Sequence, residues 1–245
     1  MLSNLKYALL LVAGAQALDL ATEANLATEA EAGWQATYYR SGSIGTNENF
    51  KFGRFSARIK GANKVGTVTS FFLFWRGPHW NYHDWSEIDI EIVPTITKDH
   101  SWEGPFHTNL IYENHGMSGS AVPNHVADPG TDWHTYQVEW TPDYISWSYD
   151  GKEVSKQSAT DGGAKGAAVR WLRDRDQHLV MNFWTPTFWW GGGLNADDMP
   201  WYAEYDWVQV ETYDEQTKSF NFHWKDEFDY IDRSRWEVAW SGGFQ

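Results

Sequence analysis

The segment Glu87–Glu91 constrains the fold of this chain most, because acidic and apolar side chains alternate along it. Successive side chains of a β-strand point to opposite faces, so Glu87, Asp89 and Glu91 share one face and Ile88 and Ile90 share the other. The isoleucine face can enter a core. The segment therefore predicts a strand that covers a hydrophobic interior and presents three carboxyl groups on its outer side.

Such a row of carboxyl groups is electrostatically unfavourable. Like charges two residues apart on a strand lie about 6.6 Å apart and repel by up to roughly 2.5 kcal/mol at an effective dielectric near 20. The repulsion falls when one carboxyl keeps its proton, which favours a neutral acid beside an ionised base, the pair that hydrolysis of a glycosidic bond requires. The alternatives are an ordinary solvated strand face and a calcium cluster. Trp85 on the same face favours a catalytic site, and the absence of the turn-forming Gly and Asn of a calcium loop disfavours the cluster.

The composition favours a neutral sugar as partner. The 245 residues carry a formal charge of −14, which disfavours nucleic acid and anionic membranes. The 17 Trp residues exceed what a core requires, and flat indole rings stack well on sugars. The length, with 42% hydrophobic residues and 21 Gly, suits one β-rich domain.

The N-terminus has the three parts of a secretory signal. Lys6 precedes the apolar run Tyr7–Ala13, and Ala15-Gln16-Ala17 supplies small residues for cleavage. We expect a signal peptide over residues 1–17, a secreted, extracellular protein and a single domain over 18–245. The alternative is a hydrophobic first helix. No other segment approaches the ~20 apolar residues of a membrane span, and the chain contains no Cys.

Strand-like stretches separated by turn-rich segments predict a sandwich or barrel. The predicted strands are Tyr38–Ser43, Lys51–Lys60, Thr67–Trp75, Trp85–Val93, His134–Trp140, Tyr144–Tyr149, Lys152–Val154, Leu179–Trp184 and Tyr202–Val210. Asp150-Gly151 is a strong hairpin signal. The segment Leu18–Ala32 is compatible with a strand, a helix or a linker. Asp214–Ser219 is interpreted as a linker, after which Phe220–Gln245 resumes a strand-like pattern.

Trp85 and the alternating segment after it closely resemble the catalytic signature of glycoside hydrolase family 16. Three further segments resemble that family in its usual order: His134–Gly151, Met181–Trp184 and Tyr202–Val208. Together they cover most of residues 34–213. The resemblance implies an all-β fold, a concanavalin-like β-sandwich jelly roll of two curved antiparallel sheets.

The form of the signature bears on the substrate. Members that act on β-1,3-glucans tend to carry an extra bulge residue before the last Glu, and this chain lacks it. The resemblance therefore implies an endo-glycosidase that hydrolyses β-1,4 bonds in mixed-linkage β-1,3-1,4-glucan (lichenan). A β-1,3-glucanase, a xyloglucan-active enzyme of the same family and a non-catalytic glucan-binding module remain alternatives.

The order of the segments suggests a circular permutation. Trp224–Trp236 resembles the segment that normally opens the family's domain, yet here it lies near the C-terminus. After Trp240 the family pattern would continue, whereas this chain stops at Gln245. We expect either a truncated chain or a contribution from Leu18–Ala32.

The resemblance also implies roles for individual residues. Glu87 would be the nucleophile of a retaining mechanism, Glu91 the general acid/base, and Asp89 the residue that tunes both. No cofactor is expected for catalysis, and a monomer is expected. The candidates to line the sugar cleft are Trp85, Phe74, His107, Asn109, Asn182, Trp184, Trp189 and Trp190. For an aromatic candidate the alternative is a place in the core.

Asp206 matches a position that contributes to a structural calcium site in relatives. A capped or solvated Asp beside a strand is an equally good interpretation.

Overall fold

The structure is a computed structural model that describes residues 9–15, 39–75, 85–93, 106–113, 116–117, 120–121, 132–185, 199–240 and 243–244. Within these ranges the elements, in chain order, are β1 (Leu9–Ala15), β2 (Tyr39–Arg40), β3 (Gly42–Phe50), β4 (Gly53–Lys60), β5 (Val68–Trp75), β6 (Ser86–Ile92), β7 (Phe106–Tyr112), β8 (Gly116–Met117), β9 (Ser120–Ala121), β10 (His134–Trp140), β11 (Tyr144–Tyr149), β12 (Lys152–Ser158), α1 (Gly163–Leu172), β13 (Gln177–Trp184), β14 (Trp201–Asp214), β15 (Ser219–Asp226), β16 (Trp236–Trp240) and β17 (Gly243–Phe244). No helix in the described ranges has the length and apolar character needed to cross a membrane.

The strands form two antiparallel sheets. One has the order β12-β11-β10-β4-β14-β1-β2-β17, with β15 also paired to β14. The other has the order β16-β3-β13-β5-β6-β7-β8, with β9 also paired to β7. The predicted all-β, two-sheet architecture is confirmed. The circular permutation stays a prediction.

The core lies between the two sheets. Ile88, Ile90 and Ile92 on β6 are fully buried, as the alternation predicted. Facing residues of the nine-stranded sheet, such as Phe55 and Trp140, are equally buried. Full burial of each such side chain stabilises the fold by about 1.5–3 kcal/mol, so the isoleucine face holds β6 in one orientation.

Two side chains form hydrogen bonds across the core and join the sheets. The Nε1–H of Trp147 on β11 donates to the backbone oxygen of Asp89 on β6 at 3.0 Å. The hydroxyl of Tyr205 on β14 shares its one hydrogen between the backbone oxygens of Ser70 and Asn182, which lie 2.8 Å and 3.2 Å from it. The buried N–H of Trp147 and the buried O–H of Tyr205 thereby each have an acceptor.

Several predicted boundaries agree with the structure. The predicted strands His134–Trp140 and Tyr144–Tyr149 coincide with β10 and β11. The turn that follows β11 has Asp150 at φ 48° and Gly151 at φ 76°, as expected for an Asp-Gly hairpin. The next strand runs to Ser158, four residues beyond the predicted end.

The interpretation of Asp214–Ser219 as a linker is wrong. β14 continues to Asp214 and β15 begins at Ser219, so the residues between them form the turn of a hairpin. The Asp214 side chain accepts hydrogen bonds from the backbone N–H groups of Gln216 and Thr217, at 2.8 Å and 3.0 Å. The polar residues that form this turn, with Asp214 capping it, have the same composition as a linker, which explains the wrong interpretation.

Helix α1 was not predicted from the sequence. Its ten residues include Gly163 and Gly166, which weaken the helical signal. Gly166 is required by packing, because a Cβ there would lie 2.0 Å from the backbone oxygen of Asp161. Ala168, Val169 and Leu172 bury the inner face of the helix.

The apolar run near the N-terminus is a strand in the structure. Residues 9–13 of β1 pair antiparallel with residues 201–205 of β14. Removal of residues 1–17 as a signal peptide stays a prediction. Lys6, Ala17 and the segment Leu18–Ala32 lie outside the described residues.

The C-terminal segment is attached to both sheets through Asp226. This carboxylate is 8% exposed and accepts hydrogen bonds from the backbone N–H of Phe228, from Arg235 Nη1 and from Trp236 Nε1, at 2.8–2.9 Å. β15 pairs with β14, while β16 pairs with β3. Asp226 therefore ties together a hairpin strand of one sheet and the edge strand of the other.

Replacing Asp226 should destabilise the protein, because Asp226→Ala leaves the Trp236 N–H and the Arg235 guanidinium without their acceptor. We expect the free energy of unfolding, measured by urea denaturation, to fall by about 2–4 kcal/mol. Asp229→Ala is the matched control, since Asp229 is exposed. Equal stability of the two variants would contradict this role.

Candidate active site

The register of β5, β6 and β7 places the three carboxyl groups in the middle of the eight-stranded sheet. Glu87, Asp89 and Glu91 alternate with the buried isoleucines and share the face directed away from the core. Their cross-strand neighbours are Phe74 and Ile111 for Glu87, Phe72 and Asn109 for Asp89, and Ser70 and His107 for Glu91. The carboxyl row is thus enclosed by strands on both sides.

Glu87 is half-buried and held by two hydrogen bonds. The Nε1–H of Trp85 donates to its Oε1 at 2.7 Å, and the carboxyl of Asp89 also donates to it. Burial raises the pKa of Glu87, and the two hydrogen-bond donors lower it. Burial has the larger effect, so the pKa is about 7. Glu87 is therefore partly ionised near neutral pH, with its carboxylate oriented by the indole.

Asp89 lies between the two glutamates and is 3% exposed. Burial raises its pKa well above the ordinary range, and the charges of Glu87 and Glu91 raise it further. Asn109 on β7 donates a hydrogen bond that acts in the opposite direction. Within the described part of the chain the Asp89 Oδ1 atom has no hydrogen-bond partner. Asp89 is thus a neutral acid that donates to Glu87.

Glu91 also has a raised pKa, and its causes differ from those at Glu87. Burial, and then the negative charge of Glu87, raise its pKa to about 8. At neutral pH the strand therefore carries a proton donor at one end and a partly ionised carboxylate at the other. This is the combination needed to protonate a leaving oxygen while a carbon centre is attacked.

His107 and Asn109 on β7 lie beside the carboxyl row, while their contact with a sugar stays a prediction. His107 is 4% exposed, and burial lowers its pKa to about 4. The ring is thus neutral at neutral pH and adds no positive charge next to Glu91. Asn109 is half-buried.

Asn182 and Trp184 on β13 face the same side of the sheet. Asn182 is the cross-strand neighbour of Ser70 on β5, and Trp184 Nε1 donates to the Ser70 hydroxyl at 3.4 Å. Both candidates are half-buried, and the Asn182 Oδ1 atom has no partner among the described residues. A buried acceptor without a donor suits a ligand hydroxyl.

Phe74 lies on the carboxyl face but is only 4% exposed. It packs with Phe72 and Val180, and Trp85 packs against this group. The apolar cluster desolvates the Glu87 end of the row. Phe72 and Val180 were not identified from the sequence, although the two-residue period of β5 and β13 would have placed them on this face.

Trp189 and Trp190 lie outside the described residues. Their role in the cleft stays a prediction.

Asp206 has a cationic side chain as its partner. Arg58 Nη1 lies 2.6 Å from Asp206 Oδ2. In the described ranges no three His, Cys, Asp or Glu side chains form a group that could hold a metal. The described side chains alone therefore do not make a calcium site, and calcium binding stays a prediction.

Comparison with known proteins identifies relatives of this chain. The profile of the family described as "Glycosyl hydrolases family 16" matches residues 12–208. A protein named beta-glucanase from Fibrobacter succinogenes is 33% identical over 199 residues, which are 78% of this chain and 53% of that protein. A beta-glucanase from Acetivibrio thermocellus is 36% identical over 170 residues, or 69% of this chain and 42% of that protein. The chain thus spans about half the length of these relatives.

A solved structure supports the sandwich fold. The beta-glucanase of Bacillus licheniformis superimposes with a TM-score of 0.51 at 26% identity, covering 71% of this chain and 70% of that chain. The predicted family and the jelly-roll sandwich are therefore confirmed.

The raised pKa of Glu91 predicts a pH-dependent stability. Between its ordinary value of 4.5 and about 8, the folded protein binds this proton and the unfolded chain does not. The free energy of unfolding should therefore fall as the pH rises through this window. Glu91→Gln removes the contribution, so its stability relative to the native chain should increase from about pH 5 to about pH 8.

Urea denaturation at both pH values measures the difference. Glu215→Gln is the control, because Glu215 lies in the exposed β14–β15 turn. A stability difference for Glu91→Gln that is the same at both pH values would contradict the assignment of a tightly held proton.

Proposed function

This chain belongs to family 16 of the glycosyl hydrolases, and we propose that it is an endo-β-glucanase that hydrolyses β-1,4 bonds in mixed-linkage β-1,3-1,4-glucan. The observation that carries the proposal is the row of three carboxyl groups on the outer face of β6, in which Trp85 and Asp89 donate hydrogen bonds to Glu87 and burial raises the pKa of Glu91. The relatives named beta-glucanase support the substrate class.

In the first step the carboxylate of Glu87 attacks the anomeric carbon. The bond from that carbon to the glycosidic oxygen breaks, and the proton of Glu91 moves to the departing oxygen. The product of this step is a glycosyl ester of Glu87. The Trp85 N–H holds Oε1 and so fixes the direction from which the carboxylate approaches.

In the second step the roles of Glu91 reverse. Its carboxylate takes a proton from water, the hydroxyl adds to the anomeric carbon, and the bond to Glu87 breaks. Two inversions at one carbon give net retention. Asp89 donates to Glu87 in the resting site and thereby lowers its pKa relative to that of Glu91.

The regular pairing of β6 supports the choice of substrate within the family. Residues 87–91 pair without a register shift with both β5 and β7, so the signature contains no bulge before Glu91. By resemblance, this form is typical of enzymes that act on mixed-linkage glucan and xyloglucan. A β-1,3-glucanase, a xyloglucan-active enzyme and a glucan-binding module are outcomes that the activity test can return.

We propose further that the protein is a secreted monomer. The ordered signal pattern of residues 1–17 supports export, and N-terminal sequencing of the protein from culture medium tests it. Sedimentation of the purified protein tests the monomer. The polysaccharide is the expected partner.

The activity of the protein is tested by reducing-sugar release from mixed-linkage glucan, laminarin and xyloglucan. We expect release from mixed-linkage glucan alone, with the β-anomer appearing first in the proton NMR spectrum of the products. Glu91→Gln should lower kcat by about 10²–10⁴, because proton donation is lost. Glu87→Gln should abolish turnover, because no ester can form.

Glu215→Gln, an exposed change far from β6 along the chain, is the control and should retain activity. Activity on laminarin or xyloglucan alone would contradict the proposed substrate and identify that polysaccharide as the substrate instead. Binding of glucan without release of sugar would contradict the enzymatic function and identify a glucan-binding module.

Calcium should act on stability and leave the chemistry of β6 unchanged. If backbone oxygens complete a site at Asp206, calcium should raise Tm relative to a chelator at equal ionic strength. Scanning calorimetry measures this shift. An identical Tm in both solutions would remove the calcium proposal.

A further inference from the structure

The register of the eight-stranded sheet creates three rows of residues that cross the strands on the carboxyl face. Each row contains one residue from each of β6, β5, β13 and β3. The middle row is Asp89, Phe72, Val180 and Gly45. The row on one side is Glu91, Ser70, Asn182 and Ser43, and the row on the other side is Glu87, Phe74, His178 and Asn49.

These rows define the path of a bound polysaccharide. The two catalytic carboxyl groups must lie on either side of the glycosidic bond, and both are on β6. A sugar chain that passes between them therefore runs across the strands, along the middle row. From β5 to β3 the side chains of this row shrink from a phenyl ring at Phe72 to an isopropyl group at Val180 and a hydrogen at Gly45.

The outer rows form the walls of this path, and on β13 both walls are polar. Asn182 was identified from the sequence, whereas His178 on the opposite wall was not. The two residues flank Val180 and are half-buried. A sugar over Val180 would therefore have a hydrogen-bonding group on each side.

The His178 ring is oriented by Thr46, which lies at a register shift in the neighbouring strand β3. The register between β13 and β3 shifts between His178 and Val180. The Thr46 backbone oxygen lies 2.7 Å from His178 Nδ1, and the Thr46 hydroxyl accepts from the backbone N–H of Leu179 at 3.0 Å. Because a carbonyl oxygen only accepts, Nδ1 carries a hydrogen and Nε2 of the neutral ring is an acceptor.

The acceptor nitrogen is available to a ligand. Among the described residues His178 Nε2 has no hydrogen-bond partner. Because the ring is only half-buried and this nitrogen is not among the fully buried atoms without a partner, it is accessible to solvent. The ring is thus oriented by one nitrogen and presents the other to solvent. Such fixed polar groups lower the entropy lost on binding.

We propose that His178 binds the glucan about two sugar units from the cleaved bond, by accepting a hydrogen bond from a sugar hydroxyl at Nε2. His178 lies two strands from Glu87, a separation of roughly 9.6 Å, which is about the length of a disaccharide. At this distance it cannot exchange a proton with the reacting atoms. This inference rests on the proposed glucanase function.

Two substitutions separate a binding role from a structural one. Asn places an N–H near the position of Nδ1 and can keep the bond to the Thr46 carbonyl, but it lacks any group near Nε2. Gln places its amide near Nε2 and can bond to a sugar. His178→Asn should therefore raise KM for mixed-linkage glucan by about three- to ten-fold with kcat nearly unchanged, whereas His178→Gln should retain a KM close to the native value.

The length of the substrate provides a second measurement. With a series of mixed-linkage oligosaccharides, the KM increase of His178→Asn should appear only once the substrate extends over β13. Shorter oligosaccharides that occupy only the sites beside Glu87 and Glu91 should show no difference. His134→Asn is the matched control, because His134 lies on β10 of the other sheet and its Nδ1 is likewise held by one oxygen, Asp150 Oδ2 at 2.8 Å.

Each outcome has a defined meaning. An unchanged KM for His178→Asn on long substrates would overturn the inference and leave the glucanase function intact. Equal losses of Tm and kcat in both variants would assign His178 a structural role instead. If the native protein hydrolyses no glucan, the proposed function fails and this inference fails with it.

Discussion

Burial of one face of β6 determines where the carboxyl groups of the other face lie. Ile88, Ile90 and Ile92 are fully enclosed by the opposite sheet, so β6 has one acceptable register. A slip of one residue would move Glu87, Asp89 and Glu91 into the core, where unpaired charges cost far more than the isoleucines contribute. The hydrogen bond from Trp147 to the Asp89 carbonyl also fixes the position of β6 relative to the opposite sheet. Packing on the inner face thus positions the chemistry on the outer face.

The same arrangement sets the proton affinities. Burial raises the pKa of all three carboxyl groups, and the site then distinguishes them by hydrogen bonding. Glu87 receives N–H and O–H donors that favour its ionised form, whereas Glu91 is opposed by the charge of Glu87. A base and an acid therefore arise from identical side chains four residues apart. No cation near the row is needed for this difference.

Much of the fold could be predicted from local patterns, because strands with one buried face carry a two-residue period. β6, β10 and β11 follow that period, and Asp-Gly marks the turn after β11. The helix α1 was missed because it contains two glycines, Gly163 at a φ of 64° and Gly166 where packing leaves no room for a Cβ, and glycine lowers helix propensity. The Asp214 turn was missed because a side chain capping its own backbone looks like a polar spacer.

The walls of the cleft could be predicted only where a motif marked them. Asn182 lies within a recognisable segment, but His178 acquires its position from pairing with strands more than a hundred residues away in sequence. Register between distant strands is a property of the folded sheet. The sequence alone therefore predicts the catalytic strand better than the surface on which the substrate lies.

The hydrogen bonds that Trp147 and Tyr205 form across the core have a consequence for engineering. Trp147 and Tyr205 connect the nine-stranded sheet to backbone oxygens beneath the cleft, while the outer side of that sheet carries its own ion pairs, such as Arg54 with Glu139 and Glu211. Exposed residues outside these ion pairs can be exchanged to alter solubility or to immobilise the protein on a support, provided that the two anchors and the ion pairs stay. The exposed side of the sheet opposite the cleft is therefore the surface best suited to attachment.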